Sequence, residues 1–165
     1  AVDDPISFGD MEITPVPTSH DAPGSCGWRF DTDGGSVGFL TDTGYITDEA
    51  ADLLPGVDLA ILEANHDVEA LRSGPYPYYL KQRILGLEGH LCNEDAAAFA
   101  VTLAEHGAGE IVLAHLSHDN NTPAMALNAV ESALSAAGLS PALTVAPRDT
   151  LGPCHAAVRR AVCRK

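Results

Sequence analysis

Residues 58–67 read DLAILEANHD, an almost wholly apolar run that ends in acidic and amide side chains and a histidine. A short apolar run of this kind is typical of a β-strand that is buried on both faces of a sheet. The stretch EIVLAHLS at 110–117 repeats the pattern, and its apolar part also ends at a histidine. Open α/β sheets bind ligands beyond the carboxyl ends of their strands, so these polar residues lie where a functional site is expected.

The stretches on either side extend the same organisation. The first 41 residues have strand patterns, and DGG at 33–35 is a hairpin turn signal. Strands are predicted at 11–16, 26–32, 36–42, 58–64, 110–117 and 141–147. Helices are predicted at 68–74, 76–86, 93–107 and 123–138, with Asn93 as the cap of the third. The tail, 148–165, has an ambiguous pattern that allows a helix. These elements predict an α/β layered sandwich, and a length of 165 residues fits one domain, 1–165.

The chain is strongly acidic, because 23 acidic side chains against 9 basic ones give a formal net charge of −14. An acidic surface repels phosphate backbones, which argues against a nucleic-acid binder that relies on a broad basic patch. It does not exclude a nuclease, since bound metal ions invert the charge at a site.

The apolar stretches are too short for a membrane helix, which needs about 20 residues, and the first residues lack the pattern of a signal peptide. The four cysteines form no CxxC pair. We therefore expect reduced thiols, a cytoplasmic location and no association with membranes.

Imidazole or carboxylate side chains follow several of the predicted strands. His20, Asp42, Glu63 and His115 each come after an apolar or alternating stretch, and His90 lies on a loop that leads into a helix. A lone buried histidine is more often a hydrogen-bonded core residue than a metal ligand. Four strand ends that each supply such a group indicate a shared site, and imidazole with carboxylate suits zinc, manganese or iron.

Six stretches give the sequence a family resemblance. They occur in the same order as in metallo-β-lactamase-fold hydrolases of the YycJ (WalJ) type, and are SHDAP (19–23), TDTGY (41–45), LEANHD (62–67), SGPYPYYLKQRI (73–84), GHLCN (89–93) and AHLSHDNN (114–121). The resemblance implies a metallo-β-lactamase-like αββα sandwich, of which this chain supplies roughly the C-terminal half.

The resemblance also implies roles for individual residues. His20, Asp42 and His115 would be metal ligands, with Asp42 bridging two zinc ions in a complete domain; manganese or iron are alternatives. Glu63 and His90 match the proton-donating pair of the similar RNase Z group. Three further side chains would line the substrate cleft, namely Asn65, His66 and Asn120. The implied reaction is hydrolysis of a phosphodiester, nucleic acid included, by metal-bound hydroxide.

Two features depart from the family pattern. Cys92 stands in GHLCN where GHLSN is usual, and the H-x-H-x-D-H motif that supplies most metal ligands is absent from the 165 residues. The chain is therefore expected to begin near the middle of the usual domain, to be incomplete as an enzyme and to expose the inner face of its sheet. The chain alone is therefore expected either to form a dimer through that face or to be unstable.

Two alternatives to the hydrolase remain at this point. A catalytically inactive remnant that serves as a binding or regulatory module is favoured by the missing motif. A structural α/β domain with incidental histidines is disfavoured, because the polar residues cluster at strand ends and match the family in order.

Overall fold

The computed structural model describes residues 4–159, which form one mixed β-sheet with three helices packed against one face. The seven strands of this part of the chain lie side by side in sequence order. They are β1 (Ile6–Phe8), β2 (Met11–Pro17), β3 (Cys26–Asp31), β4 (Ser36–Leu40), β5 (Leu59–Glu63), β6 (Glu110–Ala114) and β7 (Ala142–Val145). Pairing is antiparallel from β1 to β4 and parallel from β4 to β7. The carboxyl ends of β2, β4, β5 and β6 consequently lie at the same end of the sheet.

The described range contains the helices α1 (Asp48–Leu53), α2 (Val68–Ser73), α3 (Tyr78–Ile84), α4 (Asn93–Glu105) and α5 (Pro123–Ala136). Three of these helices have a threonine or aspartate N-cap whose side chain accepts a hydrogen bond from the backbone amide three residues further on. The caps of α1, α2 and α5 are Thr47, Asp67 and Thr122. No helix in residues 4–159 is long and apolar enough to cross a membrane. The predicted α/β class is confirmed.

One face of the sheet forms the hydrophobic core. Val16, Leu40, Leu62, Ile111 and Leu113 project from the strands into a buried cluster with side chains of α1, α4 and α5. Burial of apolar side chains of this size stabilises the fold by about 1.5–3 kcal/mol each. Helices α1, α4 and α5 therefore cover one face of the sheet, and the opposite face is the one expected to meet a partner sheet.

The other face carries a row of large apolar side chains. Trp28, Phe39, Ile61 and Val112 lie next to one another across β3, β4, β5 and β6. None of them belongs to the core cluster, and Trp28, Phe39 and Ile61 remain half-buried. This is the arrangement expected for one half of a sheet-on-sheet sandwich.

The tail differs from expectation. Residues 148–159 form no helix, and the remainder of the predicted segment lies outside the described residues. His155 Nδ1 lies 2.6 Å from Glu110 Oε1, and the Arg159 amide donates to the Gly34 carbonyl at 3.1 Å. Gly152 and Pro153 disfavour a helix, and these anchors hold the segment extended along the sheet.

Helix α4 begins one residue earlier than the sequence indicated. Cys92 is its cap, since Cys92 Sγ accepts a hydrogen bond from the Asp95 amide at 3.5 Å. Asn93 is the first helical residue, and its amide pairs with that of Asn121 in the interior. Burial raises the pKa of Cys92 to about 12, so the side chain is a thiol and not a thiolate.

Replacing Cys92 by serine is expected to raise the free energy of unfolding by about 0.5–1 kcal/mol, because a hydroxyl oxygen is the better cap. Urea denaturation monitored by circular dichroism measures the change. Cys92→Ala, which has no acceptor, should be less stable than the wild type. Equal stability of the serine and alanine variants would show that this cap contributes nothing.

Candidate metal centre

Two histidines and an aspartate lie close together at the end of the sheet where the parallel strands terminate. His20 follows β2, Asp42 follows β4 and His115 follows β6. The Nε2 atoms of His20 and His115 lie 3.7 and 3.8 Å from the same oxygen, Asp42 Oδ1. Both separations exceed a hydrogen bond and are near the roughly 3.4 Å between two ligands of a tetrahedral zinc ion with bonds of about 2.1 Å. Asp42 Oδ1 is the atom common to both pairs.

The second ring nitrogen of each histidine lies against an acceptor. His20 Nδ1 is 3.0 Å from the Gly89 carbonyl, and His115 Nδ1 is 2.7 Å from Glu63 Oε1. An acceptor at Nδ1 places the proton there and leaves Nε2 with a free lone pair. Histidines that bind metals commonly have such an outer partner. The donor set of this structure therefore fits a divalent metal ion.

Glu63, the last residue of β5, is fully buried and has four hydrogen-bond partners. Its Oε2 accepts from the Thr43 and Leu91 amides at 3.0 and 3.3 Å. Its Oε1 lies 2.9 Å from His90 Nδ1 and 2.7 Å from His115 Nδ1. Burial raises the pKa of Glu63, but the hydrogen bonds from His115, His90 and Thr43 outweigh burial and hold the pKa below its ordinary value. Glu63 is thus a buried anion that orients two imidazoles.

His90 lies between the other two histidines. Its ring centroid is 4.9 Å from that of His20 and 5.2 Å from that of His115. The structure brings together His90 and Glu63, the pair that the family resemblance implies, and Glu63 also contacts His115. The hydrogen bond to Glu63 raises the pKa of His115.

Within residues 4–159, two sets of side chains have ligand atoms close enough to hold an ion, namely His20, Asp42 and His90, and Glu63, His90 and His115. In the second set Glu63 already accepts four hydrogen bonds, two of them from the histidines of the set. An ion there would have to displace those bonds. We favour the site around Asp42, with His20 and His115 as its histidines, and leave His90 out of the ligand set because its Nδ1 is hydrogen-bonded to Glu63 Oε1.

The backbone of the ligand loops is strained. Asp42 and His115 are the non-glycine residues of the described chain with positive φ, at 58° and 57°. The left-handed region costs an L-residue on the order of 1 kcal/mol, and such residues cluster at functional sites. The Asn65 side-chain amide donates to the His115 carbonyl at 2.8 Å and helps hold this conformation.

The structure shows why position 44, the last of the TDTG stretch, is a glycine. A Cβ atom at this position would lie 2.2 Å from the Leu87 carbonyl oxygen, a distance that no side chain tolerates. The Gly44 amide also donates to the Ser19 carbonyl at 2.8 Å. The absence of a side chain therefore lets the Asp42 loop approach the loops that carry His20 and His90.

The three residues predicted to line a substrate cleft are buried, with Asn65 7%, His66 1% and Asn120 0% exposed. Neither ring nitrogen of His66 has a hydrogen-bond partner in the described part of the chain, and burial lowers its pKa, so the ring is neutral. This burial favours support of the metal-ligand loops over direct contact with a substrate.

Several functional contacts involve groups that a sequence pattern does not mark. The Gly89 carbonyl and the Thr43 and Leu91 amides are backbone groups, and every residue has such groups. In the sequence Glu63 is an acid after a buried strand and, by the family resemblance, the partner of His90. Its complete burial is what distinguishes an orienting carboxylate from a solvated one.

Comparison with known proteins agrees with this fold. Residues 1–116 match the family model described as the beta-lactamase superfamily domain. The chain belongs to the beta-lactamase superfamily, and the resemblance stated from the sequence is confirmed.

Two curated relatives are similar over most of the chain. Exodeoxyribonuclease YycJ of Bacillus anthracis is 39% identical over 138 residues, which cover 84% of this chain and 52% of that protein. Exodeoxyribonuclease WalJ of Streptococcus pneumoniae is 41% identical over 144 residues, or 87% of this chain and 54% of that protein. The chain thus spans about half the length of the curated relatives it matches.

Solved structures share the fold at lower identity. The metallo-beta-lactamase fold protein YhfI of Bacillus subtilis has a TM-score of 0.63 and 22% identity, covering 88% of this chain and 50% of that one. A diphosphatase of the PhnP family has a TM-score of 0.55 and 20% identity, covering 94% and 48%. The match to about half of each structure agrees with the expected half of a sandwich.

Proposed function

We propose that this chain carries part of a two-metal site for the hydrolysis of phosphodiesters in DNA. The observation that supports this most directly is the pair of imidazole Nε2 atoms that face one carboxylate oxygen, Asp42 Oδ1, at 3.7 and 3.8 Å. The relatives of about 40% identity named exodeoxyribonucleases support the choice of DNA. We propose that the protein is located in the cytoplasm, as expected from its sequence.

His20, Asp42 and His115 would hold the metal, with Asp42 as the shared ligand and zinc as the ion we propose. A bound divalent ion would supply a Lewis acid and would lower the pKa of a water molecule bound to it. Asn65 is a positioning residue in this scheme, because it holds the backbone of His115.

Glu63 and His90 would deliver a proton to the leaving oxygen. The hydrogen bond of 2.9 Å from His90 Nδ1 to Glu63 leaves Nε2 as the atom available to a substrate. The buried carboxylate of Glu63 orients the imidazole for this role. The same carboxylate orients His115, so the metal ligand and the proton donor share one anchor.

A binding or regulatory module is the alternative. It is favoured by the absence of the H-x-H-x-D-H motif from these 165 residues. The two functions differ in whether zinc binding depends on the proposed ligands, and that dependence is measurable.

We expect zinc to bind weakly to the purified chain, at no more than one ion per chain, and DNA hydrolysis to be slight or absent. Each ion would have only one imidazole and the shared carboxylate as partners, whereas a catalytic zinc usually has three protein ligands. Isothermal titration calorimetry measures affinity and stoichiometry. His20→Ala and His115→Ala should reduce binding, and His106→Ala, at the exposed end of α4, is the matched control.

Tight binding of two ions per chain would contradict the expected incompleteness. Zinc binding that is insensitive to His20, Asp42 and His115 would overturn the proposed site and favour the module.

We also propose that two copies associate through the face that carries Trp28, Phe39 and Ile61. Half-exposed aromatic and branched side chains in one row form an apolar surface of the kind that drives association. Light scattering should give the mass of a dimer, or the chain should be unstable at low concentration. Ile61→Lys should shift the mass to that of a monomer. A wild-type monomer with a cooperative thermal transition would contradict this association.

A further inference from the structure

The SGPYPYYLKQRI stretch has no part in the proposed chemistry, yet it presents two exposed aromatic rings. Tyr78 and Tyr79 are the first residues of α3 and are 77% and 74% exposed. Tyrosine carries a large apolar ring, and two adjacent rings left in water contribute little to folding. Their exposure therefore calls for a ligand that would cover them.

The segment is fixed to the loops of the metal centre on both sides. Arg83 binds the Asp21 carboxylate through two nitrogens at 2.5 and 2.9 Å, and Asp21 follows the ligand His20. At the other end, the Tyr76 phenol lies beside the Asp119 carboxylate, four residues beyond His115, and hydrogen bonding to that carboxylate raises the pKa of Tyr76.

A third anchor lies inside the segment. Lys81 Nζ donates to the carbonyls of Arg72 and Gly74, both at 2.7 Å. These contacts hold the start of α3 in place, so Tyr78 and Tyr79 are presented on a fixed support, in a segment whose Arg83 binds the residue that follows His20. A preformed surface loses little conformational entropy when a ligand binds.

The local charge suits a nucleic acid better than the whole chain does. Residues 71–87 contain three basic residues and no acidic one, although the chain has a net charge of −14. Arg83 and Arg72 are already paired, with Asp21 and Glu69. The segment itself adds no negative charge but offers few free cations, which leaves ring stacking as the main attraction. Stacking on an aromatic side chain contributes about 1–3 kcal/mol per base and tolerates any sequence.

We propose that Tyr78 and Tyr79 form a tyrosine platform on which the unpaired bases of a single DNA strand stack beside the metal centre. The inference rests on the proposed function and narrows its substrate to DNA with an unpaired segment. Bases inside a closed duplex already stack on one another, so a continuous duplex would not use the platform.

The test is fluorescence anisotropy with a labelled single-stranded oligodeoxynucleotide of about 12 nucleotides, long enough for a binding site of this kind. EDTA is present to remove divalent metal ions, so that the measured DNA binding does not depend on a bound metal. The double substitution Tyr78→Ala with Tyr79→Ala removes two stacking rings and should raise Kd by at least roughly 30-fold, at 1.4 kcal/mol per tenfold. Tyr78→Phe with Tyr79→Phe keeps both rings and should stay within about 3-fold of the wild type. Phe8→Ala removes a 72% exposed ring of β1 and should leave Kd unchanged.

An unchanged Kd in the double alanine variant, or no binding of the strand by the wild type, would overturn the platform. A loss of dimer mass in that variant, with DNA affinity retained, would assign the rings to contact between copies and overturn it as well. Covalently closed duplex DNA should compete poorly, and equal competition would contradict the preference for unpaired bases.

Zinc titration of the same variants separates this inference from the proposed function. Retained zinc binding with lost DNA affinity supports the platform. Zinc binding that is independent of His20, Asp42 and His115, with tyrosine-dependent DNA affinity, would overturn the hydrolase and leave the platform standing.

Discussion

Replacing Glu63 by glutamine is expected to lower the free energy of unfolding of the metal-free protein by about 3 kcal/mol. The wild-type carboxylate accepts at all four positions, from the Thr43 and Leu91 amides and from the Nδ1 atoms of His90 and His115. The carboxamide of glutamine has the same shape, but its nitrogen can only donate. It must therefore face at least one donor in a site from which water is excluded.

The same substitution should weaken zinc binding by roughly 10- to 100-fold, the usual effect of losing an outer partner of a histidine ligand. His115 would no longer have a charged acceptor to fix the proton at Nδ1. Its Nε2 would then be less often free to bind a metal. Zinc titration with a chromophoric competitor measures this loss.

The dependence of stability on pH gives a second readout in EDTA. The pKa of Glu63 is held below 4.5, so its contribution is present above that pH and is lost as the pH falls through the lowered value. The pKa of His115 is raised above 6.5, so its contribution is present below that pH and is lost as the pH rises through the raised value. The pair therefore stabilises the metal-free protein most between about pH 4.5 and 6.5, and Glu63→Gln should flatten that maximum.

Urea denaturation across this pH range tests both expectations. Glu131→Gln, on the exposed side of α5, is the matched control and should change neither stability nor zinc affinity. A Glu63→Gln variant with wild-type stability and an unchanged pH profile would show that the buried carboxylate does not hold the two imidazoles.

The strand ends of this site could be predicted from the sequence because they depend on local patterns. An apolar run that stops at a polar residue marks the end of a buried strand, and parallel strands bring their ends to one edge. This placed His20, Asp42 and His115 together, and the structure has their side-chain atoms within 3.8 Å of a common oxygen.

What the sequence missed depends on side-chain direction and on backbone groups. The bond of Glu63 to His115, in addition to His90, depends on which nitrogen each ring presents, and spacing along the chain does not contain that information. The capping of α4 by Cys92 was missed because Asn93 is the more usual cap, and its side chain is instead used in a buried pair with Asn121. The extended tail was missed because its anchors, Glu110 and Gly34, are distant in sequence.

Removal of the Asp42 carboxylate should have the largest effect on zinc, because both histidine Nε2 atoms face its Oδ1. Asp42→Ala and Asp42→Gly should each weaken zinc binding by more than about 100-fold, beyond the usual effect of losing an outer partner. Calorimetric titration measures the loss. Asp52→Ala, an exposed carboxylate on α1, should leave zinc affinity unchanged.

The two variants should differ in stability although both lack the Asp42 carboxylate. Residue 42 has φ of 58°, which glycine adopts freely and alanine does not. We therefore expect Asp42→Gly to exceed Asp42→Ala by about 1 kcal/mol in free energy of unfolding in EDTA. Equal stability would mean that the loop relaxes once the carboxylate is gone, so that the left-handed conformation is imposed by the side-chain contacts of Asp42. A difference of the expected size would mean that the surrounding fold imposes it, and that the strain exists to aim the carboxylate at the two histidines.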